Sequence, residues 1–166
     1  MPTRTIELSS GENTGARLID LILMIEDERD HAELVIDALK EVGNIRKVVL
    51  IENGNTALDY VFRRGVFREK SLSPRPALIL LDINLPGKNG LEVLRLIRAE
   101  KRFSTIPIII LTTSPSVETV KKTADLGAND YVIKPADFGE FLTRITGLGK
   151  YWSMVSELPM QKGIGQ

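Results

Sequence analysis

Four apolar runs in this 166-residue chain end in side chains able to do chemistry. Leu78-Ile79-Leu80-Leu81 stops at Asp82, and the Ile83-Asn84-Leu85-Pro86-Gly87 that follows carries Pro and Gly punctuation that forbids a strand to continue. An earlier run over 19–25 stops at Glu26-Asp27, a later one over 106–111 at Thr112-Thr113, and the last over 130–133 at Lys134-Pro135. In open parallel sheets, the carboxyl ends of the strands are where ligands and chemistry sit. Adjacent strands lie about 4.8 Å apart, so if the strands ending in Glu26-Asp27 and in Asp82 are neighbours, three carboxylates crowd into one pocket. Such a pocket resists full ionisation without a cation. Hard oxygen ligands suit Mg²⁺ (or Mn²⁺), with Asp27 and Asp82 ligating directly, the backbone carbonyl of Asn84 as a third protein ligand, and Glu26 acting through metal-bound water.

The same residues answer the electrostatics of phosphoryl transfer. A carboxylate attacking a phosphoryl donor meets like-charge repulsion, and the transition state spreads negative charge over equatorial oxygens. A metal ion and the Lys134 ammonium neutralise that charge from two sides. The Thr112 hydroxyl is placed to donate to a phosphoryl oxygen on Asp82, and the added charge draws Thr112 and its loop inward. Each residue alone has a plainer reading: Asp82 as a turn former, Glu26-Asp27 as a helix cap, Lys134 as a solvated strand-end lysine. Their joint register makes the functional reading the better one for Asp82 and Lys134, and capping is compatible with metal binding.

The elements that position these residues follow from periodicity. Five near-continuous apolar runs, 19–25, 47–51, 77–81, 106–111 and 130–133, read as strands buried on both faces. Helix-period segments separate them over 30–42, 56–64, 89–100 and 116–126, and a fifth follows over 138–150. The pattern predicts an α/β fold: a doubly wound parallel sheet of five strands, (βα)₅, with right-handed crossovers. Residues 1–16 are polar and read as a flexible leader, 17–150 as the folded domain, and 151–166 as an apolar C-terminal extension. The link 63–75, RRGVFREKSLSPR, holds five bases against one acid and reads as a solvated loop, the alternative being a contact for an acidic partner. His31, the only histidine, reads as a surface residue of the first helix.

Composition excludes several classes. Lys plus Arg and Asp plus Glu are balanced at 22 each, which gives no footing for nucleic acid or an anionic membrane. No run approaches the roughly 18 apolar residues of a membrane helix. There is no cysteine, hence no disulfide framework or thiol nucleophile, and the cytoplasm is the compartment easiest to reconcile with that. A flavodoxin-type FMN site needs a phosphate loop where this chain has Glu26-Asp27-Glu28. A haloacid-dehalogenase-type phosphatase wants a second carboxylate where this chain has Asn84.

In order and spacing, ILMIEDE, LILLDINLPGKNG, IIILTTS and DYVIKP resemble the four signatures of two-component response-regulator receiver domains, across about residues 17–150. The resemblance implies a flavodoxin-like fold with strand order 2-1-3-4-5, an aspartyl phosphate at Asp82, and a switch in which Tyr131 swings inward when Thr112 engages the phosphoryl group. It also implies a cis bond at Lys134–Pro135. Glu26 stands where Asp is commoner, and Thr113 where Ala or Ser is usual, which leaves the dephosphorylation rate open. The basic insert ending in SPRP, the LTTS and the aromatic tail resemble stand-alone receivers that partner phytochrome histidine kinases. That resemblance implies a phosphoacceptor switch rather than an enzyme, with a sensor histidine kinase as partner. A non-phosphorylated pseudo-receiver that signals by binding is the alternative.

The tail YWSMVSELPMQKGIGQ is too short for an effector domain. Its apolar residues, Tyr151, Trp152 and Val155 among them, predict a homodimer contact in which the last helix extends and docks on the other subunit, the alternative being a tail folded back on its own domain. Gly147 and Gly149 loosen that helix enough to redirect it.

Overall fold

The computed structural model describes residues 3–8, 18–43, 45–113 and 116–134, together with 139, 140, 143, 144 and 147. Its strands are β1 (Thr3–Glu7), β2 (Ile19–Ile25), β3 (Ile45–Ile51), β4 (Leu78–Asp82), β5 (Ile108–Thr112) and β6 (Asp130–Ile133). Its helices are α1 (Arg29–Val42), α2 (Gly54–Phe62), α3 (Gly90–Ala99) and α4 (Val117–Asp125). The sheet order is β1-β3-β2-β4-β5-β6. Setting β1 aside, the five parallel strands run 2-1-3-4-5, the order expected from the sequence.

Alternation along the strands sorts their side chains between two apolar layers. Ile22, Met24, Val48, Leu50, Leu78, Leu80, Ile109 and Leu111 pack with α1, whose Ala32, Val35, Ile36 and Leu39 close one core. Leu21, Leu23, Ile25, Ile79, Leu81, Ile108 and Ile110 pack with α2 and α3 through Ala57, Leu58, Val93, Leu94 and Ile97. Burial on both faces explains why the strand sequences are continuous apolar runs.

Two expectations are corrected. Residues 3–7 are not a flexible leader but β1, a sixth strand antiparallel to β3, pairing Thr3 with Ile51 and Glu7 with Lys47. Without it β3 would be an open edge of seven residues, IRKVVLI, a template for unwanted pairing. Ile6 and the buried Leu8 add to the α1-side core, but a five-residue strand with Ile6 as its one apolar position carries too little periodicity to announce itself. The basic link 63–75 is likewise structured. It folds as two 3₁₀ turns, Gly65–Phe67 and Lys70–Leu72. Phe67 is buried and meets Tyr60 edge to face at 5.4 Å. The Tyr60 hydroxyl donates to the Pro74 carbonyl (2.8 Å), and the buried Ser73 hydroxyl to the Phe67 carbonyl (2.9 Å). Phe67 and Ser73 supply what the charge count concealed.

Helix starts have local causes. Asn53, Asn89 and Ser116 cap α2, α3 and α4, each side-chain oxygen accepting a backbone N–H of the first turn. Asn53 brings α2 in two residues before the expected start at 56. Arg98 donates to the carbonyls of Gly127, Phe103 and Ile106, tying three connections together from a position its periodicity marks as semi-apolar. The predicted fifth helix is visible at 139, 140, 143, 144 and 147. The rest of it, the Lys134–Pro135 bond, Gly149, and Tyr151, Trp152 and Val155 lie outside the described residues. Among the described residues no helix is long and apolar enough to cross a membrane.

Candidate functional site

Parallel register decides which strand ends meet. Ile25 pairs with Leu81, so the next residues, Glu26 and Asp82, emerge at the same level on adjacent strands. Asp82 pairs with Leu111, which sets Thr112 one step beyond it, and Thr112 pairs with Ile133, which brings Lys134 to the same edge. The Lys134 amide donates to the Thr112 carbonyl at 2.6 Å, continuing the ladder to that point.

The loop after β4 is held by close approaches that only glycine permits. A Cβ on Gly90 would lie 2.2 Å from the Asp82 carbonyl oxygen, and one on Gly54 would lie 2.0 Å from the Lys88 carbonyl oxygen. Gly90 N–H also donates to the Ile83 carbonyl (2.7 Å), so α3 begins against the strand end that carries Asp82.

In this frame the acidic residues converge. Ligand atoms of Glu26, Asp27 and Asp82 lie within 4.8 Å of one another. Glu26, Asp82, Thr112 and Lys134 are all buried, at 2, 5, 0 and 7% exposure, a polar cluster that an apolar sheet tolerates only because its members are paired. The Lys134 ammonium donates to Asp82 Oδ2 at 2.8 Å and to Glu26 Oε1. Asp82 Oδ1 accepts from the Asn84 N–H (3.0 Å), folding the backbone at 84 over the carboxylate.

Protonation reflects this crowding. Burial, then the hydrogen bond toward Asp82, pushes the Glu26 carboxyl up to about 8 despite the Lys134 charge. Burial by itself lowers the Lys134 pKa, but the Glu26 charge and hydrogen bonds to both carboxylates outweigh it, and the ammonium is held above its ordinary value. One cation faces three acids, and a proton on Glu26 relieves the excess. A divalent cation would relieve it too, and the oxygen-only donor set fits Mg²⁺ or Mn²⁺.

His31 corrects another expectation. It is not a plain surface residue: its side chain is 18% exposed, and Nδ1 lies 3.4 Å from Lys134 Nζ and 3.2 Å from Glu28 Oε2. Its place on the first turn of the helix after the acid pair sets it near Glu26, but its approach to Lys134 comes from the fold. Tyr131 is half-buried against the α2–α3 core on β6, two strands from Asp82. Thr113 is exposed beyond the end of β5.

A parallel sheet that gathers carboxylates, a threonine and a lysine at one carboxyl edge defines a class: the receiver, a signalling switch. The chain belongs to the response regulator receiver domain family, whose sequence model matches residues 22–146. It is 32% identical over 139 residues to response regulator Rcp1 of Synechocystis sp., covering 84% of this chain and 92% of that protein. The crystal structure of the phosphorylated cyanobacterial phytochrome response regulator RcpA superposes with a TM-score of 0.79 at 30% identity, over 86% of this chain and 99% of that one. The Mn²⁺-bound form of Rcp1 gives 0.77 at 31% identity, over 84% and 98%.

Proposed function

We propose that this protein is a phosphorylation switch in which Asp82 accepts a phosphoryl group from a sensor histidine kinase, with a phytochrome as the kinase. The observation that carries the reading is the buried Asp82 carboxylate with Lys134 Nζ 2.8 Å from Oδ2 and two further acids beside it. Similarity to the cyanobacterial phytochrome response regulator RcpA supports the phytochrome assignment. A carboxylate oxygen of Asp82 forms the new P–O bond as the P–N bond to the kinase imidazole breaks, and the imidazole keeps the electron pair of that bond. Lys134 stays protonated and neutralises charge on the phosphoryl oxygens. Asp27, Asp82 and the Asn84 carbonyl would hold Mg²⁺ (or Mn²⁺), with Glu26 acting through its water; the bound ion supplies charge neutralisation on the transferring group. Thr112 then donates its hydroxyl to a phosphoryl oxygen and Tyr131 turns inward, changing the surface offered to partners. The chain acts as a homodimer through the last helix and Tyr151, Trp152 and Val155.

A pseudo-receiver that only binds has no need of the acid pair, the Asp, the Thr and the Lys together. Intact-protein mass with Mg²⁺ and acetyl phosphate, wild type beside Asp82→Asn, separates the two. The expected result is a Mg²⁺-dependent adduct of one phosphoryl group, absent in the variant. No adduct, and no beryllofluoride complex, on folded wild-type protein would favour the pseudo-receiver.

A further inference from the structure

The opposite edge of the sheet carries a second concave site. The basic link 63–75 folds over the amino end of β4 and, with the 3₁₀ turn Lys101–Phe103 that precedes β5, encloses a cleft of about 300 Å³. Four cationic side chains line it: Arg63, Lys70, Arg75 and Arg102. No carboxylate is among its described lining residues. Within the described residues Arg63, Lys70 and Arg75 enter no ion pair, and Arg102 has only Glu100 at 4.0 Å, with both side chains more than half exposed. The neighbouring Arg64, outside the cleft, is neutralised by Asp59 at 3.1 Å.

Three of these cations, Arg63, Arg75 and Arg102, are held in place. The Arg63 guanidinium donates to the Ser73 carbonyl (3.2 Å), and Arg63 itself sits in the left-handed region at φ 55°, where the C-cap of α2 turns it toward the cleft wall. Arg75 and Arg102 lie over the Phe103 ring, at 5.5 and 4.7 Å from its centroid. Their mutual repulsion is felt: burial, then the charges of Arg63 and Arg102, lowers the Arg75 pKa. Convergent like charges with no counter-charge are a cost unless something anionic arrives. Pro76 precedes Asp82 by six residues, about 20 Å of extended chain, so this cleft is separate from the phosphoacceptor pocket.

We infer that the cleft is a binding site for a small phosphate-bearing anion of at least two negative charges. Guanidinium forks match phosphate oxygens two at a time, and a side-chain carboxylate brings only one charge to a site that gathers four cations. The volume lies at the lower end of small-molecule sites, which suits a compact anion rather than a stretch of protein laid across the surface. The inference does not rest on phosphorylation of Asp82.

The test is a titration of the full chain with pyrophosphate, followed by calorimetry and by amide chemical shifts. Saturable binding centred on residues 60–76 and 101–103 is expected. The paired substitution Arg75→Gln with Arg102→Gln should weaken it at least tenfold, about 1.4 kcal/mol. A control pair on other elements, Arg4→Gln with Arg46→Gln, should leave it unchanged, as should Asp82→Asn. Unchanged thermal melts of the variants exclude misfolding. The inference is overturned by no saturation at about ten millimolar pyrophosphate, or by equal weakening in the control pair. Binding of an acidic peptide but not pyrophosphate would overturn it too, and would assign the cleft to a protein partner.

Discussion

Glu26 is the residue whose chemistry depends most on its surroundings. Its carboxyl is pushed up to about 8 by burial and by Asp82, so at neutral pH it holds a proton that its unfolded counterpart has lost. The native state therefore binds more protons than the unfolded state between about 4.5 and 8, and stability falls as pH rises through that window. In a chelator, the unfolding free energy should decline by at most about 1.4 kcal/mol per pH unit. Glu26→Gln should flatten the slope, as followed by urea denaturation; an unchanged slope would reject the assignment. A divalent cation needs the same carboxyl ionised, so binding of Mg²⁺ should release a proton and tighten from about pH 6 to 8. Calorimetry in buffers of different ionisation enthalpy reads that proton directly, and equal heats would contradict it. Asp82, Thr112 and Lys134 were legible in the sequence because each ends an apolar run at a chemically apt residue. His31 was not, since nothing in a single helix reveals that its first turn overhangs another strand's lysine.

At the scale of elements, the loop after β4 and the edge strand make separable predictions. Gly90→Ala places a methyl 2.2 Å from the Asp82 carbonyl, and neither backbone can yield without moving the strand end. A loss of about 2–4 kcal/mol in urea is expected, with phosphoryl adduct formation reduced at least tenfold. A variant as stable and as readily modified as wild type would show that the close approach is not needed. Removing residues 1–8 uncovers β3 and the core beneath Leu8. Burial of Ile6 and Leu8 is worth about 2–4 kcal/mol together, so a lower urea midpoint and concentration-dependent association should follow; an unaltered midpoint would make β1 dispensable. The identities of α1–α4 and of β2–β6 were readable from period, whereas β1 was not. Boundaries shifted where a side chain intervened, as where the Asn53 cap starts α2 at Gly54.

For the molecule as a whole, the homodimer proposal has a direct test. Truncation after Lys150 removes Tyr151, Trp152 and Val155 and should yield a monomer by light scattering with the receiver still folded. A dimer that survives truncation would move the contact elsewhere.

The linear chain determined the five parallel strands, their alternation with helices and the four residues that end their runs, while the strand order came from the family resemblance. Those properties are written in hydrophobic period and in which residue ends each run, and both survive without knowledge of neighbours. Tertiary structure alone decided three others. It turned residues 3–7 into an edge strand, because the unpaired β3 offered a partner 40 to 48 residues away in sequence. It ordered the basic link, because Phe67 and Ser73 found partners on Tyr60 and on the link's own backbone. And it gathered Arg63, Arg75 and Arg102 around one cleft, because α2, β4 and the turn before β5 end side by side. Each depends on the field or the open hydrogen bonds of a distant segment, which no local pattern encodes.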